Sequence, residues 1–247
     1  INFSFYTGLI LEDVSLKDPN GNLVASMQEF HLDVRWRKLF RKKIQIEEII
    51  LNNPYFYLTT NNNEETNLQF LIDIFPKKEK PIKIPNILVQ LKSLQIINGK
   101  FKFDHLDKTK NEGFDPAHFQ INDIHTHISV EYASKDSLLA HLNRFSASES
   151  NGFKLNNISF NLGIGKKQSY ISPIEVKLQN SKINIEELSL TYDSLQQVFD
   201  TNSLKKHTKI KFSLNNSKIY GKDFKNFVPE LKNLNKPFIA NGRITYY

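Results

Sequence analysis

One unit keeps returning along the chain: two apolar residues in alternation, a polar pair, then two more apolar residues in alternation. It appears as Leu9, Leu11, Val14, Leu16 and as Ile44, Ile46, Ile49, Leu51. It returns as Val89, Leu91, Leu94, Ile96, as Phe153, Leu155, Ile158, Phe160, and as Ile183, Ile185, Leu188, Leu190. Period-two alternation describes a strand with one greasy face and one wet face. The extra central position shifts that phase by one, and a β-bulge or bend absorbs the shift while keeping both halves on one side. Repetition of the unit predicts a mainly β protein built on an elongated sheet rather than a compact centre.

Composition agrees with one-sided strands. The apolar fraction of 39% lies below the roughly 45–50% of globular chains, as expected if apolar residues keep to one face. The absence of cysteine excludes disulfides and thiolate metal sites. The net charge of +7 comes mainly from lysine, with only five arginines. Such a balance suits bidentate phosphate recognition poorly, so nucleic acid is not an expected partner. No window approaches the roughly 18–20 apolar residues of a membrane span, and no signal peptide is visible. Strand phase already runs through Phe3 and Phe5 at the start and through Ile244-Thr245-Tyr246-Tyr247 at the finish. Residues 1–247 therefore read as a single extended segment of a longer protein.

A first strand pair is predicted over 8–17 and 23–35, joined by Asp18-Pro19-Asn20-Gly21-Asn22, a turn in which proline fixes φ and Asn-Gly accepts positive φ. Residues 36–43 form a basic connection with room for one helical turn. Residues 44–58 read as one strand or as two segments hinged near Pro54. Thr66 is a helix N-cap candidate, with Leu68, Leu71, Ile72 and Phe75 at helical spacing before Pro76. Further strands are expected over 89–104, 119–132, 153–164, 170–178, 183–192, 209–215 and 238–247. Residues 135–145 suit helix or strand, and strand is preferred. Short helices are expected over 194–199 and 222–234. About eleven strands and three short helices follow, with antiparallel order as the simpler topology.

Side chains with chemical potential are few. His125 and His127 share a strand face, but a metal site usually needs a third or fourth ligand, and no metal or other cofactor is expected. No nucleophile elbow, phosphate loop or zinc-helix motif is present. Glu47-Glu48 and Glu186-Glu187 resemble paired carboxylates, yet both fill the polar centre of the repeat, where solvent exposure is the simpler expectation; enzymatic activity is not expected. Two basic clusters, Arg35, Arg37, Lys38, Arg41, Lys42, Lys43 and Lys77, Lys78, Lys80, Lys83, suit either a membrane surface or solvated turns and guarded strand edges.

Several segments resemble the TamB and AsmA-like family of Gram-negative bacteria. They are Leu11-Glu12-Asp13-Val14-Ser15-Leu16-Lys17-Asp18 followed by Gly21 and Leu23; Thr66-Asn67-Leu68-Gln69-Phe70-Leu71-Ile72-Asp73; and Asn98-Gly99-Lys100-Phe101-Lys102-Phe103. Glu149-Ser150-Asn151-Gly152-Phe153, Lys182-Ile183-Asn184-Ile185, Lys222-Asp223-Phe224, Phe227-Val228-Pro229-Glu230-Leu231 and Gly242 continue the series. The resemblance implies an elongated, curled antiparallel sheet, a U-shaped "β-taco" groove with an apolar inner face. It also implies the periplasmic region that follows an inner-membrane helix, with a part in phospholipid passage and outer-membrane protein assembly alongside an outer-membrane barrel of the TamA type. The helix and the barrel-engaging region would lie outside this segment.

On that reading the lipid-groove residues are Leu9, Leu11, Val14, Leu16, Ile44, Ile46, Val89, Leu91, Leu94, Ile96, Phe119, Ile121, Phe153, Leu155, Ile158, Phe160, Val176, Leu178, Ile183, Ile185, Leu188, Leu190, Ile210, Phe212 and Leu214, and phospholipid acyl chains are the expected ligand. From the residues alone, the same side chains could instead fill a closed core. A structural β-scaffold and a chaperone-like module that binds strands by β-augmentation are the alternatives.

Overall fold

A computed structural model of the chain describes residues 2–4, 8–35, 38, 42–74, 87–195 and 208–246. Thirteen strands form one sheet. They are β1 (Asn2–Ser4), β2 (Gly8–Lys17), β3 (Leu23–Val34), β4 (Lys43–Asn52), β5 (Tyr55–Thr60), β6 (Leu88–His105) and β7 (His118–Ala133), followed by β8 (Leu138–Glu149), β9 (Lys154–Ile164), β10 (Gln168–Leu178), β11 (Lys182–Thr191), β12 (Lys209–Ile219) and β13 (Phe238–Tyr246). Neighbours in space are neighbours in sequence, except that β4 is followed by β6 while β5 pairs with β3 and β6. The sheet is curled and mostly antiparallel, as expected.

The exception is a crossover. β4 and β5 both run parallel to β6. The connection from β5 carries the helix α1 (Gln69–Ile74) before the chain re-enters the sheet at Leu88. Purely antiparallel order is thus corrected: two hairpin-like neighbours cannot produce a parallel pair, which needs a long crossover. Residues 44–58 are two strands, as the hinge at Pro54 suggested. Their register to β6 nevertheless runs unbroken through the break, from Lys43↔Leu88 and Asn52↔Ile97 to Tyr55↔Lys100 and Thr60↔His105.

The central polar positions of the repeat are where the ladders slip or bend. Asp13 takes φ 53°. Register shifts fall between Asp33 and Val34 opposite β4, between Leu91 and Leu94, between Lys177 and Leu178 opposite β9, and between Ile185 and Glu187. Four left-handed residues, Asp13 (53°), Asn53 (49°), Asn98 (55°) and Asp123 (51°), lie along one line across β2, the β4–β5 junction, β6 and β7. Asn and Asp tolerate this conformation better than other residues with a Cβ. Side chains bind the line together: Asn53 Nδ2 donates to Gln28 Oε1 (2.7 Å) and Asn98 Nδ2 donates to Asn53 Oδ1 (2.6 Å). The result is a crease in the sheet.

Helical content differs from expectation in detail. Thr66 Oγ1 accepts from Leu68 N (3.2 Å) in the turn just ahead of α1, whose first residue is Gln69, while Phe75 lies outside the described residues. Residues 222–234 hold two 3-10 turns, Gly221–Phe224 and Pro229–Asn233, rather than α-helices. Val228, held extended (φ −136°) before Pro229, prevents them from merging. Most of the proposed turn at 36–43 and of the helix at 194–199 falls outside the described residues, as does the second basic cluster.

Candidate functional site: an apolar trough

Apolar residues on successive strands are direct cross-strand partners, so the repeat becomes rows that cross the whole sheet. One row runs unbroken over ten strands: Leu9, Leu32, Ile49, Leu94, Ile128, Leu142, Phe160, Ile174, Ile185, Leu214. A second runs Val34, Ile46, Leu91, Val130, Ala140, Leu162, Ile171, Leu188, Phe212, Ile244. A third, Leu11, Phe30, Leu51, Ile96, Phe145, Ile158, Val176 and Ile183, is interrupted only by Thr126. A fourth contains Ile44, Val89, Ala133, Leu138, Ile164, Leu190, Ile210 and Tyr246, with Ser169 between Ile164 and Leu190.

Most of these side chains touch neighbours along and across the strands but stay half-exposed; Ile174 is buried, and Ile244 and Tyr246 on β13 are open to solvent. Among the described residues, the apolar side chains fully inside are Val24, Ala25, Ile174, Leu178 and Tyr192. A sealed sandwich would hide whole rows from water, because a second layer would cover them. Here the curl leaves a trough. Near the β7–β8 and β9–β10 turns it encloses a cavity of about 590 Å³ lined by Leu138, Leu162, Ile164, Ile171, Leu188 and Leu190.

The proposed groove residues are placed as follows. Leu9, Leu94, Phe160, Ile185 and Leu214 stand in the first row, and Ile46, Leu91, Leu188 and Phe212 in the second. Leu11, Ile96, Ile158, Val176 and Ile183 stand in the third, and Ile44, Val89, Leu190 and Ile210 in the fourth. Beyond the crease, Val14 faces Met27, Leu16 faces Ala25, Phe101 faces Ile121, and Phe119 faces Phe103 with ring centroids 5.5 Å apart. Leu155 pairs with Leu178. Phe153 joins no row. It precedes β9, and its ring meets that of Phe227 edge-on at 4.9 Å.

The five marked units did not include Leu32, Ile128, Leu142 and Ile174, which complete the first row, or Leu162 and Ile171, which stand in the second. Simple alternation, as in Leu138, Ala140, Leu142, was their available signal.

The outer face is polar and cross-linked. Glu47, only 18% exposed, lies 2.5 Å from Arg35 Nε and 2.6 Å from Lys92 Nζ. Burial alone would raise its pKa, but hydrogen bonds from Lys92 and Gln45 and the charge of Arg35 hold it below the usual carboxylate range. Solvent exposure is therefore the wrong account of the Glu47-Glu48 pair. Glu48 accepts from Gln95 Nε2 (3.2 Å), so the pair anchors β4 to its neighbours. His125 sits at the crease, accepting from Asn98 N (3.4 Å).

At the end of the sheet away from the apolar cavity, the segment after β12 is pinned by one carboxylate. Asp223 accepts from Asn180 N (3.0 Å), Asn180 Nδ2 (2.5 Å), Ser181 N (2.7 Å) and Ser181 Oγ (2.6 Å). Burial pushes its pKa up, and these four donors more than reverse that, leaving it lowered.

Among curated proteins, none matches this chain. The profile of the AsmA family matches residues 5–235. That family is associated with the bacterial envelope, and membership points to a role in outer-membrane assembly or lipid transport. Since the match spans the sheet from before β2 to the segment that leads into β13, the chain belongs to the AsmA family.

Proposed function

We propose that the trough carries phospholipid acyl chains between the inner and outer membranes, as the periplasmic segment of an inner-membrane-anchored, TamB-like protein, and thereby supports outer-membrane protein assembly with a barrel partner of the TamA type. The unbroken ten-strand row of directly paired apolar residues is the observation that supports this reading. Water exposure of each acyl CH₂ costs about 0.8 kcal/mol, so a chain of roughly 15 methylenes faces on the order of 12 kcal/mol in the open. A continuous greasy lining removes most of that barrier without holding the chain at any one point. Sliding needs such uniformity, and polar interruptions would create traps. A self-filled scaffold fits less well, because its rows would be covered by the protein itself.

Photo-crosslinking side chains at Leu91 and Ile185, in two different rows, should capture phospholipid in cells. The same group at Lys177, on the outer face and exposed, should not. Equal capture at all three positions, or none in the rows, would defeat the proposal.

A further inference from the structure

Seven of the fourteen large apolar side chains that are exposed among the described residues fall in two short stretches, 106–114 and 227–239: Leu106, Phe114, Phe227, Val228, Leu234, Phe238 and Ile239. Both stretches sit at one end of the sheet. The first follows the last residue of β6, and the second leads into β13, whose first residue, Phe238, pairs with the last residue of β12, Ile219. The ring of Phe227 ties them together, meeting Phe114 at 4.8 Å and Phe153 at 4.9 Å. Phe114 (36% exposed), Phe227 (41%) and Val228 (42%) form the open centre of this cluster, while Leu106 lies apart in a cleft with Asp18, Leu23 and Tyr57. Contiguous exposed apolar surface of this kind marks an interaction site.

Charge supplies the partner. Beside Phe227 lies a polar cavity of about 200 Å³ lined by Lys154, Lys222, Lys225, Asn180 and Asn226. Its carboxylate, Asp223, is already occupied by the four donors from Asn180 and Ser181. All three lysines are exposed, Lys222 with its ammonium 5.3 Å from the Tyr220 ring centroid, and Asp223 is the one carboxylate in the lining of this cavity. Exposed aromatic and aliphatic side chains rimmed by lysine match one surface chemically: a bilayer with anionic headgroups, into whose interface the rings insert while the lysines meet phosphate.

We propose that this end of the sheet is a docking tip for anionic bilayers, with Phe114, Phe227 and Val228 entering the interface and Lys154, Lys222 and Lys225 holding headgroup phosphate. Docking here would set the rim of the trough on which these strands end against the bilayer. The tip and the trough fail separately: cross-linking at Leu91 and Ile185 reads the trough, and vesicle binding reads the tip.

The test is flotation of the whole chain with vesicles of phosphatidylcholine containing about one-third phosphatidylglycerol, against phosphatidylcholine alone. Lys154→Gln/Lys222→Gln/Lys225→Gln should lower partitioning onto anionic vesicles by roughly 100-fold at about 1 kcal/mol per lysine. These side chains are exposed, so an unchanged circular dichroism spectrum should accompany the loss. In Trp36→Phe/Phe227→Trp, whose sole tryptophan is then at the tip, emission should shift to the blue on anionic vesicles and be quenched by brominated acyl chains. Binding that the triple variant retains, or a tip tryptophan left unquenched while the protein floats, would overturn the proposal. So would saturation of the three lysines by inorganic phosphate in a protein that binds neither vesicle, which would mark a pocket for soluble anions.

Discussion

Where β7 turns into β8 and β9 into β10, the trough wall is Leu138, Leu162, Ile164, Leu188 and Leu190 around a cavity of about 590 Å³. At the opposite end, where β8 meets β9 and β10 meets β11, the same strands close with Asp223 on the Asn180-Ser181 turn and with rings set edge-on around Phe227. At the first end backbone pairing is joined by the buried Tyr192, whose hydroxyl donates to the Gly165 carbonyl (2.6 Å) and lies 2.6 Å from Ser169 Oγ, while the leucines of the wall remain partly wet. The second is fixed by side-chain contacts with definite directions. A sheet held by its ladder can keep a lining free of specific contacts, whereas the segment after β12 has no ladder and needs individual anchors.

The sharpest way to break this comparison is to truncate one leucine at each end. Leu178→Ala removes a side chain that is fully inside and should cost about 3 kcal/mol, while Leu190→Ala, already half-exposed, should cost about 1 kcal/mol. Chemical denaturation measures both, and equal losses would erase the distinction. Asp223→Ala comes next. It leaves the buried Ser181 N–H and its neighbours without their acceptor, for a loss of about 2 kcal/mol by the same measurement.

The smallest effect is a pH dependence near the anchored end. His118 Nδ1 lies 3.0 Å from Asp104 Oδ1 and Nε2 lies 2.8 Å from the Lys108 carbonyl, so the protonated ring donates to both and ties the 106–117 loop to β6. Its hydrogen bond to Asp104 raises its pKa above the ordinary 6.5. A raised folded-state pKa means the stabilisation is complete below the unfolded value and is lost as pH rises through the folded one. The difference in Tm between the parent protein and His118→Gln should therefore be largest near about pH 5.5 and shrink toward about pH 9. A difference that grows with pH would contradict the bridge.

Much of the trough was legible because its grammar is local. The slip at Glu186 and the bend at Asp13 are consequences of five apolar–polar units that any reader of the sequence can mark. Partners were not legible. Nothing in the alternation of Ile46 or Leu91 says that β4 and β6 run parallel, since both orders present the same face. Leu32 closes a further copy of the unit, Ala25, Met27, Phe30 and Leu32, whereas Ile128 belongs to a strand without a full copy and enters its row only through register. Glu47 looked like a wet residue because its partners, Arg35 and Lys92, arrive from other strands. The tip was hidden for a similar reason: Phe114 and Phe227 are far apart in the chain and meet only through the ends of the sheet.

The crease also constrains how such a sequence can change length. Asp13, Asn53, Asn98 and Asp123 hold their line only while the offset between 43–60 and 88–105 stays constant. One added or deleted residue in either stretch would turn every following side chain to the opposite face, and an insertion ahead of Asn98 would also push the β-branched Ile97 into its left-handed slot. Tolerated indels in these strands must therefore come as matched pairs, or be confined to the hairpin turns and to the crossover between Thr60 and Leu88.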